Sequence, residues 1–133
     1  MVDTNIVHKV EPATVLKIYN TLRLLGFNTR LAGTTLINKV LQILISTNDE
    51  FFKLNDVYDI IVLSSNGKFT NKIIREHIRY AINSRDNTKT KKNFKNVFGY
   101  DYDEYIFSNK YFIMEMLRLF IKGEKNKEII FPY

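Results

Sequence analysis

Between Leu31 and about Ser46 the apolar residues Leu36, Ile37, Val40, Leu41, Leu44 and Ile45 recur at intervals of three and four. Side chains so spaced share one face of an α-helix, whereas a half-buried strand would need strict alternation. A set this rich in aliphatic residues has to be covered by other elements, so the spacing predicts the central core helix of the chain. Gly33 falls in its first turn, where a missing side chain lets another backbone pack closely.

The rest of the chain reads as helices around that one. Glu11-Pro12 opens a helix, since proline suits the first helical position. Val15, Ile18, Tyr19, Leu22 and Leu25 give it a stripe, Gly26 is its expected stop, and Thr29 is a candidate cap for the helix that follows. From Asn55, the residues Val57, Ile60, Ile61 and Ser64 fall on one face, and Ser64 to Lys68, with Asn66 and Gly67, makes a turn. Thr70 can cap the next helix, which runs to Asn83 with Ile74, His77, Ile78, Ala81 and Ile82 along one side. After a turn at Ser84 to Asn87, Thr88 to Val97 forms a short helix anchored by Phe94, Val97 and Phe98 and ended by Gly99. Tyr100 to Phe107 is an aromatic and acidic loop. Ser108 or Asn109 caps a last helix carrying Phe112, Ile113, Met116, Leu117 and Phe120, with Gly123 as its expected end.

These segments predict an all-α fold: a single compact domain of about six helices over residues 11–123, between a loose arm at 1–10 and a tail at 124–133. A chain of 133 residues with ten Phe and eight Tyr can fill one real core. The tail ends in EIIFPY, which reads as a strand, as an apolar peptide docking on a neighbour, or as cover for its own core.

Several functions lose their chemistry at this point. There is no cysteine, hence no disulfide, thiolate nucleophile or cysteine-based zinc site. No apolar run approaches the roughly 20 residues that span a bilayer, and no apolar leader follows a basic start. The expectation is a cytoplasmic protein with no membrane partner. His8 and His77 are the only histidines, and His77 sits on the apolar side of its helix as a packed core residue. Asp101, Asp103 and Glu104 lack the glycine turn and further oxygen ligands of a calcium loop. No phosphate-cradling glycine loop or nucleophile–base pattern occurs. The chain is therefore expected to be no enzyme, with no catalytic residue, cofactor or metal.

The formal net charge of +6 favours a polyanionic partner, nucleic acid first and an anionic membrane surface second. A short helix, a polar turn and a cationic amphipathic helix over 55–83 make the sequence form of a helix-turn-helix, whose second helix enters the DNA major groove. Thr70, Asn71, Lys72, Arg75, Glu76, Arg79 and Tyr80 are the expected contacts there. Arg75 suits a bidentate bond to guanine. Asn71 can read adenine or help the cap, and Glu76 can accept from cytosine or pair with nearby arginines. Lys89, Lys91, Lys92 and Lys95 suit phosphates, which set affinity and orientation.

Five landmarks in order give these helices a likeness. LLGFNTRLAG, with Gly26 and Gly33 seven residues apart, precedes the long apolar helix; HIRYAIN ends the cationic helix; SRDN leads into a basic helix closing on FGY; SNKYFI and MLRL lie in the last helix. From about Ala13 to Lys122 the chain resembles the carboxy-terminal DNA-binding effector domain of the stage-zero sporulation transcription factor of Firmicutes. The resemblance implies double-stranded DNA as partner and tandem head-to-tail self-association on repeated sites. The family's amino-terminal receiver domain is expected to be missing. Where the family has Arg in the recognition helix this chain has Ile73, the family's Glu and Arg are exchanged as Arg75 and Glu76, and the turn before Thr70 is longer. The family's target sequence therefore does not carry across. Two other roles fit the same residues: a protein-binding antagonist or partner of a sporulation-type regulator or of RNA polymerase, and a plasmid or phage DNA-maintenance protein.

Overall fold

The computed structural model describes residues 10–47 and 53–125, with side chains as far as Ile121. The arm with His8 and the EIIFPY tail lie outside the described residues. Among the described residues six α-helices follow one another: α1 (Pro12–Leu24), α2 (Ala32–Thr47), α3 (Leu54–Ser64), α4 (Asn71–Asn83), α5 (Asn87–Phe98) and α6 (Asn109–Lys125). A single 3-10 turn, Glu104–Ile106, separates the last two. The fold is all-helical, as the periodicity predicts.

Helix α2 is the hub. Helices α1, α3, α4 and α6 all pack on it, α4 most extensively. Leu36, Ile37, Val40, Leu41, Ile43 and Leu44 are buried along it. Gly33 explains how α4 comes so close. A side chain built there would collide with the backbone carbonyl oxygen of His77 and lie 2.8 Å from the Ala81 Cβ, closer than two carbon atoms can sit. The expected backbone contact is thus real, and α4 is the backbone that makes it. It also corrects the reading of His77, which is exposed. The peptide carbonyl of His77 faces α2, so its ring is turned outward, edge-on to Phe69 at 6.2 Å.

The end of α1 is held by the start of α5. Gly26, at φ +90°, accepts a 2.8 Å hydrogen bond from the Asp86 N–H. The Thr90 hydroxyl donates to the Leu25 carbonyl at 2.6 Å, and the Asn93 amide to the Leu24 carbonyl at 2.8 Å. Three carbonyls, of the last residue of α1 and the two after it, are so satisfied. Asp86 caps α5, its carboxylate accepting from the N–H groups of Thr88 and Lys89, so that α5 begins one residue before the expected Thr88. Aromatic rings then tie the loop after α5 to the core. Phe94 meets Phe98, Tyr100, Tyr102 and Phe107 at centroid distances of 4.8–6.0 Å. Phe107 stacks on Phe112, and Phe112 on Phe27.

Three local expectations need correction. Thr29 does not cap α2; Asn28 shapes that turn, its side chain accepting from the Arg30 N–H and its carbonyl from the Thr34 hydroxyl. Ser64 is exposed, not part of a buried stripe, and its hydroxyl donates back to the Ile61 carbonyl. Gly123 does not end α6, which continues to Lys125. A glycine inside a helix costs only about 1 kcal/mol against alanine, too little to undo a helix anchored by Phe112, Ile113, Met116, Leu117, Phe120 and Ile121.

Candidate nucleic-acid interface

Helix α4 starts where the Thr70 hydroxyl accepts from the Ile73 N–H at 3.2 Å, the expected cap. Ahead of it the chain reverses through Asn66 (φ 55°) and Gly67 (φ 81°). Ile74, Ile78, Ala81 and Ile82 are buried against α2 and its neighbours. The remaining surface of α4 divides in two. One strip carries Lys72, Arg75, Glu76, Arg79 and Asn83; the other carries Ile73, His77 and Tyr80, all exposed.

The first strip forms one wall of a groove of about 870 Å³, completed by the first turns of α3 and α6. Among the described residues, Lys53, Lys72, Arg75, Arg79 and Lys110 line it against a single carboxylate, Glu76. Glu76 lies 3.9 Å from Lys72, both side chains well exposed, so this pair is worth little and leaves the groove cationic. The ordering of Arg75 is more telling. Its Nε donates to the Asn71 Oδ1 at 2.9 Å, while the Asn71 amide donates to the Asp59 carboxylate at 3.1 Å and to the Asn55 carbonyl. Asn71 thus spends its side chain fixing Arg75 to α3. It does not cap the helix, and Arg75, so held, lines the groove.

Beneath Arg75 lies Tyr58, 1 % exposed. Its hydroxyl has no hydrogen-bond partner among the described residues. The Asn109 amide beside it donates instead to the Arg75 carbonyl at 3.1 Å. Burial pushes the Tyr58 phenol up to about 12, with Asn109 and the Arg75 charge drawing it part of the way back. It stays protonated and is a donor towards any anion.

The lysines of α5 do not join this groove. Lys89 and Lys92 line a second depression of about 450 Å³ with Arg23 of α1. The Lys91 ammonium sits 5.6 Å from the centre of the Tyr102 ring, and Lys95 pairs with Asp101 at 3.3 Å. Of the residues expected to meet DNA, Lys72, Arg75, Glu76 and Arg79 thus share the groove, Lys89 and Lys92 share the second depression, and Thr70, Tyr80, Lys91 and Lys95 line neither. Lys53, Tyr58, Asn109 and Lys110 escape a reading of the α4 segment alone. A signal for two of them does exist in the sequence, because Lys53 and Lys110 stand at helix starts, where the helix dipole disfavours cations.

Comparison of the chain with models of known protein families, with curated proteins and with solved structures finds no match.

Proposed function

We propose that this chain is a sequence-specific double-stranded DNA-binding protein, a transcription regulator in which α3, its turn and α4 act as a helix-turn-helix. The observation that carries the reading is the cationic groove along the outer strip of α4, where the described residues set five Lys and Arg side chains against one carboxylate. Thirteen residues make α4 about 20 Å long, and a helix of this width fits the major groove of B-DNA. Arg75 presents a forked donor pair suited to guanine O6 and N7 or to a phosphate, and the Asn71 bond limits its rotamers before binding. Arg79 and Lys72 suit phosphates, Glu76 a cytosine amino group, and the exposed Tyr80 ring a thymine methyl. The likeness to the sporulation effector domain supports the same assignment.

Selection of bound duplexes from a random pool, followed by sequencing, tests it. The expected result is one enriched motif. Its affinity should fall with salt on a log–log slope of about 0.9 for each neutralised phosphate. A pool that shows no enrichment, or affinity indifferent to salt, overturns the reading.

A further inference from the structure

The floor of the α4 groove holds features that base reading by α4 does not need. The first turns of α3 and α6 both open onto it through Lys53, Leu54 and Asn55 on one side and Ser108, Asn109 and Lys110 on the other. Each helix start points unpaired N–H groups and the positive end of its dipole outward. Lys53 precedes α3 with no side-chain cap, so a cation stands where an acceptor is normally favoured. Two dipole ends and three cations, Lys53, Lys110 and Arg75, repel one another unless an anion lies among them. Below them is the Tyr58 hydroxyl, buried and with no partner among the described residues. A buried hydroxyl left without a partner is a cost to the fold, and an acceptor entering from the groove would remove it.

We propose that this floor is a seat for one phosphate group: a tetrahedral oxyanion held by Lys53, Lys110 and Arg75, over the starts of α3 and α6, with the Tyr58 hydroxyl as a donor from below. The source of the phosphate rests on the DNA-binding reading, in which it is a backbone phosphodiester next to the bases read by α4. It would fix the register of α4 on the duplex, as phosphate contacts do. The same chemistry would also take free inorganic phosphate.

The test uses the full chain labelled with nitrogen-15, titrated separately with inorganic phosphate and with a selected duplex. Two variants are compared with the parent: Tyr58→Phe, and the double change Lys53→Gln with Lys110→Gln at exposed positions. Phosphate should shift the amides of Leu54, Asn55, Asn109 and Lys110 saturably. Tyr58→Phe should weaken phosphate binding about tenfold while melting no lower than the parent, a combination a merely structural tyrosine would not give. The double lysine variant should lose phosphate binding whatever Tyr58→Phe does to folding. If duplex affinity falls alongside, the occupant is the DNA backbone. Should phosphate bind in this way while no duplex binds at low salt, the seat stands with free phosphate as its ligand and the DNA reading falls. If phosphate moves none of these amides, and both variants bind the duplex as the parent does, the seat is overturned and the DNA reading survives.

Discussion

At the scale of single residues, one hydrogen atom at Gly33 sets how near α4 lies to α2. Replacing it by alanine forces the new methyl against the His77 carbonyl, backbone that cannot turn away as a side chain would. Gly33→Ala should destabilise the fold by about 1–3 kcal/mol, read as a lower urea midpoint with an unchanged slope. The need for a close approach at Gly33 is legible from its place in a strongly apolar helix. Its partner is not, because periodicity sorts side chains and says nothing of which carbonyl meets a glycine. For the same reason His77 reads as buried from spacing and is exposed in fact. Tyr58 supplies a second residue-scale expectation. Its phenol titrates near the ordinary 10.0 when unfolded and at about 12 when folded. Its ionisation leaves stability untouched below pH 10, and the fold loses stability as pH climbs from 10 through 12, because the unfolded phenol gives up its proton first. Burial, with Glu115 accepting its 2.6 Å hydrogen bond, also raises Tyr100. Urea midpoints should therefore drop steeply on alkaline titration, and Tyr58→Phe should flatten part of that drop; an unaltered profile would count against a buried phenol.

Among elements, α4 is the most legible and also the least complete. Its cap, its buried isoleucines and its cationic strip follow from a spacing of three and four. What spacing cannot supply is the opposite wall of the groove, because Lys53 and Lys110 lie at the starts of helices far apart in the chain. Asn71 illustrates the limit further: its role as a brace between Asp59 and Arg75 depends on how α3 and α4 cross. On the DNA-binding reading the two arginines should separate by effect. Arg75→Ala should change base preference at one position, costing roughly 1–3 kcal/mol there. Arg79→Ala should weaken all duplexes about equally. Repeating the duplex selection with each variant checks this, and unchanged motifs and affinities in both would remove α4 from the interface.

Over the whole molecule, two separate surfaces gather cations, the α4 groove and the patch of Arg23, Lys89 and Lys92 between α1 and α5. Charge alone groups the α5 lysines with the DNA-binding residues; which patch they belong to is a matter of tertiary packing. Neutralising Lys89, Lys91, Lys92 and Lys95 together measures their share. If they meet phosphates, binding to specific and nonspecific DNA should fall alike. The salt slope should flatten by about 0.9 for each phosphate left without its lysine. Since Lys95 already pairs with Asp101, it should contribute least. A slope equal to the parent's would confine the interface to α4 and its groove. The aromatic loop after α5 is visible in the sequence only as composition, and its packing around Phe94 depends on rings brought together from α5, the loop and α6.

The clasp between α1 and α5 also bears on the order of events in time. Its side-chain bonds join residues 65 and 69 positions apart, and closing so long a loop costs more entropy than closing the turns between α2 and α4. Helix α1, made before α5 as the chain leaves the ribosome, must wait for it before the carbonyls at its end exchange water for protein. Asn93→Ala should accordingly quicken unfolding while leaving the refolding rate nearly untouched. Stopped-flow kinetics would show the reverse, a slowed refolding limb, if the clasp were instead part of the folding nucleus.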